Sequence, residues 1–165
     1  MMRLRNCIFG ILMLLLLCGC SSYQDNTSVT FYYPCSVISS GADAVIAGEH
    51  RVISSSREDL QYVLSLYLSG PADATLYSPF PAGVQLKSCR QIESQVEILL
   101  SPGLDKLTSL EQTIACTCLA QTVLELTGAE TVRIATEQGS LAEGIVLDRD
   151  SFLLYDDVLQ DPDET

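Results

Sequence analysis

Basic side chains are scarce in this chain, and histidine is nearly absent. Nine lysines and arginines stand against 21 aspartates and glutamates, and His50 is the sole imidazole. A formal charge of −12 repels nucleic acid and anionic lipid head groups alike, so neither is expected as an electrostatic partner. His50 lies in a charged segment, Glu49-His50-Arg51, with no signature of an orienting partner or a nearby nucleophile. A general base needs both, so this histidine reads as a solvated residue on a strand's exposed face. The chain has no Walker loop, no HExxH and no GxSxG. Cys116-x-Cys118 is not the CxxC of a redox enzyme. The paired acids Glu58-Asp59, Asp148/Asp150 and Asp156-Asp157 lack the loop pattern of a calcium site and read as solvated faces. No catalytic residue, cofactor or metal is expected. The apolar run from Ile8 to Cys18 is about half of the ~20 residues that a membrane-spanning helix needs.

That run follows Arg3 and Arg5 and ends in Leu17-Cys18-Gly19-Cys20. A basic start, a short apolar segment and small residues before a cleavage point make a secretory signal. The Leu-x-Gly-Cys ending resembles a bacterial lipobox. In such signals the chain is cut just before the cysteine, whose sulfur carries a diacylglycerol with fatty-acyl chains such as palmitate. Cys18 departs from the motif, which usually has Ala, Ser or a small aliphatic residue there. The resemblance implies a signal peptide over residues 1–19, lipidation at Cys20, and a mature protein held on the outer face of the cell membrane. The alternative is an ordinary signal or an uncleaved anchor, with Cys20 incidental. Cleavage leaves 146 residues, enough for one domain with a proper core. Arg3 and Arg5 are lost with the signal, so seven bases face the same 21 acids and the charge becomes −14. Attachment must then come from lipid, and two or more acyl chains hold firmly where one binds reversibly.

Lipidation of Cys20 leaves Cys35, Cys89, Cys116 and Cys118. An even number outside the cytoplasm invites a disulfide reading, with Cys35–Cys89 the best pairing. Cys116 and Cys118 point to nearly opposite sides of a helix and are poor partners for each other or for one metal. The alternative is four small, buried, inert thiols.

Residues 20–28 are polar after the cysteine and read as a flexible tether. Val29-Thr-Phe-Tyr-Tyr33 is a strand ended by Pro34, and Val45 to Ile53 a second extended segment, broken or bulged near Gly48. Ser54-Ser55-Ser56 offers caps for a helix whose first turn holds Glu58 and Asp59. Leu60, Val63, Leu64, Tyr67 and Leu68 form one apolar stripe, and Gly70-Pro71 stops it. Tyr77 to Gly83 is a loop; Val84–Ile92 and Val96–Leu100 read as a strand pair turning at Glu93-Ser94. A second helix runs from about Ser109, with Gln112 completing a capping box, to Leu126, closed by Thr127-Gly128. It carries no charge between Gln112 and Leu124, so it is either deeply buried or offers a face to a partner. Thr131–Thr136 is the last strand. Residues 143–165 hold eight acids against Arg149 alone and form an acidic extension. Within it Phe152-Leu-Leu-Tyr155 is able to dock on the domain, and Asp156 onward is expected to be disordered. The order β-β-α-β-β-α-β makes an α+β fold, a mixed sheet with two helices packed on one face. The expected core is Phe31, Val52, Leu60, Val63, Leu64, Leu68, Leu86, Ile98, Leu119, Val132 and Ile134.

An ordered set of landmarks adds to this reading. They are Val29-Thr-Phe-Tyr-Tyr-Pro34, Glu49-His-Arg51-Val-Ile53, the helix ending in Gly70-Pro71, Tyr77-Ser-Pro-Phe-Pro-Ala-Gly83, Leu99-Leu-Ser101 and Thr131-Val-Arg-Ile134. Together they resemble the GerMN domain of spore germination proteins, over residues 29–142. The resemblance implies a compact α+β fold similar to the ring-building motifs of secretion and sporulation complexes. It also implies extracytoplasmic binding or assembly and no known catalysis. One copy of the domain is present, and cysteines lie in the second helix where the family pattern has none.

Two surfaces are candidates for contact. Pro79, Phe80 and Pro81 are rigid or apolar and cost little entropy to order, though Phe80 is equally suited to plugging the sheet. Cys116 and Ala120 share one side of the second helix. Two functions follow. The first is a tethered, non-catalytic module of an envelope assembly, with an envelope protein or a second copy as weak partner, in sporulation or germination. The second is a lipoprotein that captures a cell-wall fragment or small solute; a deep pocket with converging polar groups would favour it. For the anchor itself, Cys20→Ala should release the protein from membranes or leave an uncleaved precursor. Unchanged mass and unchanged fractionation after that substitution would dismiss lipidation.

Overall fold

The computed structural model describes residues 26–35, 46–54 and 59–151. The signal peptide, Cys20, most of the tether and the tail from Phe152 onward lie outside the described residues. The architecture is α+β: two helices, a two-stranded sheet and a mixed four-stranded sheet. All five expected strands are present, and a sixth extends the mixed sheet.

Strand β1 (Asn26–Pro34) starts three residues inside the stretch read as tether and pairs antiparallel with β2 (Ile46–Ser54), from Asn26↔Ser54 to Pro34↔Ile46. Residues directly opposite in such a ladder share a face. Val29, Phe31 and Tyr33 are buried, so Arg51, Glu49 and Ala47 share their side. Val52 therefore points outward, 70% exposed, and Ile53, opposite Thr27, is buried instead. The expected core position Val52 was one residue out of phase, because a Glu-Arg pair occupies the inward positions that alternation assigns to apolar residues. Pairing runs through Gly48 without a bulge. A Cβ there would stand 2.8 Å from Thr30 Cγ2, so the glycine serves close side-chain approach.

Helix α1 (Leu60–Leu68) begins later than expected. Asp59 is its N-cap, accepting from the Gln61 amide, while Ser54 still belongs to β2. Val63, Leu64 and Tyr67 are buried; Leu60 and Leu68 are half-buried against the same core. Gly70 at φ 95° and Pro71 end the helix. Strands β3 (Leu86–Ile92) and β4 (Gln95–Leu100) form the expected hairpin, with Glu93 in a left-handed conformation at the turn.

Helix α2 (Ser109–Thr127) is capped one residue upstream of the expected position: Thr108 and Glu111 form the capping box. Gln112 instead donates its side-chain amide to the carbonyls of Leu104 and Leu107. Gly128, left-handed at φ 67°, closes the helix. The chain then crosses to β5 (Thr131–Thr136), parallel to β4, and β6 (Ile145–Asp148) returns antiparallel on β5. Sheet order is β3-β4-β5-β6. Four residues of alternation are too short a signal for β6 to be read locally.

The core centres on aromatic rings from three segments. Tyr33 stacks on Tyr67 at 4.8 Å, with Phe31 and Phe80 edge-on to Tyr67 at 5.6 and 6.1 Å. Both hydroxyls are satisfied: Tyr33 donates to the Tyr67 carbonyl and Tyr67 to that of Tyr32. Leu119, Ile98, Val132 and Ile134 complete the core as expected, and Leu86 is half-buried beside it. Replacing the fully buried Leu64 by Ala should cost roughly 2–5 kcal/mol in denaturant unfolding, and a change below 1 kcal/mol would contradict its place.

Candidate interaction surface

Helix α2, uncharged from Gln112 to Leu124, is buried on opposite sides. Cys118, Thr122 and Glu125 lie on one stripe, facing β1: Thr122 Oγ1 accepts the Tyr32 amide at 2.9 Å and Glu125 accepts the Tyr32 hydroxyl. The opposite stripe holds Cys116, Ala120 and Val123, at 2%, 0% and 0% exposure. By helical spacing it turns toward the four-stranded sheet, whose β5 and β6 the helix also touches. Cys116 and Ala120 are therefore core, and the partner face expected there does not exist in this monomer. Pro79 and Phe80 are also buried and Pro81 is half-buried, leaving Tyr77 as the exposed ring of that loop. Phe80 plugs the core against Tyr67. Ala120→Arg should abolish cooperative folding, since it buries an unpaired charge at a cost of at least about 4 kcal/mol. A normal melting transition in that variant would reopen α2 as a surface.

The four described cysteines are free thiols, Cys116 and Cys118 buried and Cys35 and Cys89 half-buried. Burial pushes the thiols of Cys89 and Cys116 up to about 11 and that of Cys118 to about 12, far from the thiolate that nucleophilic or redox chemistry requires. His50 is exposed, and its Nδ1 lies 3.2 Å from Thr30 Oγ1. Among the described residues no group of three His, Cys, Asp or Glu side chains is placed to hold a metal.

Three open clefts of about 300 to 360 Å³ mark the described surface. One holds Lys106 and Glu111, but Glu111 is committed to capping α2, and its hydrogen bonds from Thr108 hold its carboxyl below the usual range. A second is walled by Val29, Leu60, Val63 and Leu126 with Thr27 and Gln91 at its edge. The third is lined by Leu68, Val84 and Leu86 with serines and Gln85. None converges several polar groups on one point, as a ligand site does.

A polar clamp missed in the sequence ties β2 to the end of α1. Glu49 accepts the amides of Ala72 and Asp73 at 2.8 and 2.9 Å through one oxygen, and Arg51 at 2.7 Å through the other. Arg51 also donates to the Gly70 carbonyl and lies 5.3 Å from the Phe31 ring centroid. With side chains only 10% and 16% exposed, this pair holds the chain reversal rather than waiting for a partner.

The inner face of the four-stranded sheet carries Val96, Ile98, Leu100, Val132 and Ile134. On its outer face Ala135 is buried at 6% exposure, while the two rows toward the β3–β4 turn are more open. Register lines up Ile92, Gln95, Thr131 and Asp148 in one row across the four strands, and Arg90, Glu97, Arg133 and Val146 in the next. Ile92 is 48% and Val146 55% exposed, and Leu99 is half-buried beyond them. Arg90 pairs with Glu97 at 2.6 Å, and Arg133 donates to the Glu143 carbonyl. Mixed charge around exposed aliphatic residues makes this the described surface best suited to contact.

Residues 30–141 match the family model Germane, described as sporulation and spore germination. Among solved structures, the tandem GerMN domains of the sporulation protein GerM from Bacillus subtilis are similar at TM-score 0.60 and 16% identity. That match covers 82% of this chain and 49% of the GerM chain, so this chain spans about half of that relative. A provisionally named lipoprotein from Clostridium perfringens shows 12% identity and a TM-score of 0.46 over 76% of this chain and 89% of its own. No curated protein matches. With the family model spanning most of the described domain, the chain belongs to the Germane, or GerMN, family.

Proposed function

We propose that this protein is a lipoprotein anchored at Cys20 on the outer face of the cell membrane, whose GerMN domain works by docking rather than by turnover. Its role would be that of an assembly component of the cell envelope, in sporulation or germination. The observation that carries this reading is the outer face of the four-stranded sheet: Ile92, Leu99 and Val146 on regular strands, ringed by Arg90, Glu97 and Arg133. A rigid sheet presents such a patch at little entropic cost. The family supports the reading, since GerMN domains are not known as catalytic. The Leu17-Cys18-Gly19-Cys20 ending supports the anchor, and no described helix is long and apolar enough to cross a membrane. Confinement to the membrane raises effective concentration, so a weak docking contact suffices there.

A photo-crosslinking residue at position 146 or 92 of the full chain, in its own envelope, should capture a defined protein or a second copy. The same probe at Tyr62, exposed on α1, should capture far less. Equal labelling from both positions would remove the sheet face as the docking surface. Saturable binding or turnover of a cell-wall fragment by the purified protein would replace docking as the function.

A further inference from the structure

We propose that the outer edge of β2 pairs antiparallel with the same edge of a second copy of this chain, joining two two-stranded sheets into one. The hydrogen bonds of Tyr32 identify that edge. Its amide donates to Thr122 Oγ1 at 2.9 Å, and its carbonyl accepts the Tyr67 hydroxyl at 3.1 Å. Both groups therefore point away from β2, so Tyr32 and the facing Gly48 exchange no hydrogen bonds. The backbone groups of Gly48 then point away from β1 in turn. The ladder is regular, and the same alternation carries on to His50 and Val52. The N–H and C=O groups of these three residues have no partner among the described residues, and all three residues are exposed. Such a row is a template for another strand. From Gly48 to Val52 no proline, lysine or bulge blunts it. The inward charges, Glu49 and Arg51, are already paired with each other.

The edge is complementary to itself. His50 is the middle residue of the nine in β2, so a two-fold axis there pairs the whole strand with its copy. His50 then faces His50, and Gly48 faces Val52. The residues that face each other are those whose backbone groups point outward, so each such pair exchanges both of its hydrogen bonds. Side chains fit the same register. A Cβ on Gly48 would stand 2.8 Å from Thr30 Cγ2 and 3.5 Å from Tyr32 Cε1, so those side chains flank bare backbone. Val52 of the second copy, 70% exposed in the single chain, comes beside that glycine and the Tyr32 ring. Glu49 faces Arg51 of the second copy, so no like charges meet. Strands β1 and β2 carry only this acid and this base, in a chain whose formal charge is −12. Two acidic molecules thus approach along strands that carry no net charge.

This contact does not depend on the docking face proposed above, and it is read at different residues. Amide hydrogen exchange of the full chain, in detergent micelles that outnumber the protein, resolves it residue by residue. The amides of Ala47, Glu49 and Arg51 face β1 and should be protected at every protein concentration. Those of Gly48, His50 and Val52 should exchange freely in dilute protein. At about 1 mM, the order of concentration that confinement supplies, they should exchange at least about tenfold more slowly. His50→Lys sets two like charges face to face across the axis. It should abolish this second protection and leave the first, and the melting temperature of dilute protein, unchanged. His50→Gln, which is neutral, should retain it. Free exchange at positions 48, 50 and 52 at the high concentration would overturn the proposal. So would full protection in dilute protein, which assigns the edge to another part of the same chain. Concentration-dependent protection that survives His50→Lys, or is lost equally in His50→Gln, would overturn the pairing about His50.

Discussion

Burial of α2 on opposite sides is the constraint on which the rest of this fold depends. The two sheets share no hydrogen-bonded ladder, and the helix lies between them, touching β1 on one side and β5 and β6 on the other. No charged residue occurs from Thr113 to Leu124, where Thr113 is exposed, Ile114, Thr117 and Gln121 are half-buried, and the rest are buried. Small residues make the approach close: Ala115, Cys116, Cys118 and Ala120 are all buried. The polar group that the helix does bury is used twice, Thr122 Oγ1 donating to the Cys118 carbonyl and accepting from the backbone of β1. That second bond occupies an amide on the edge of β1 away from β2, where a further strand would otherwise pair.

The aromatic cluster and the Glu49–Arg51 clamp follow from this arrangement. Once β1 is held against α2, Phe31 and Tyr33 face inward and need partners, which α1 supplies through Tyr67 and the 79–81 loop through Phe80. Chain reversal after α1 must then be held close to β2, and a nearly buried carboxylate accepting two amides and an arginine does so. Such a pair is costly to desolvate, and its hydrogen bonds offset that cost. Residues with the composition of a solvated charged strand therefore act as an internal brace.

The outer face of the four-stranded sheet is partly aliphatic, with Ile92 and Val146 exposed on it. Helices on the inner side occupy its apolar rows, and β6 widens it by one strand. The described clefts are open, and burial keeps the thiols of Cys116 and Cys118 protonated, so this face is the stronger candidate for recognition.

Elements that depend on near neighbours were legible in the sequence: the Val29–Tyr33 strand, the α1 stripe with its Gly70-Pro71 stop, the β3–β4 hairpin and the α2 span with its Gly128 end. Their signals are local, a period of 2 or 3.6 and a residue that permits or forbids a backbone angle. The α+β class followed from their order. Tertiary structure alone decided which faces are inside. Val52 and Ile53 are chemically alike, and only the ladder to β1 selects Ile53. Ala120 and Cys116 suit a core or a contact equally well, and only a second sheet on that side makes them core. β6 is too short to announce itself and exists because β5 offers it an edge. Burial is set by whatever packs from far along the chain, and a local pattern carries no information about that.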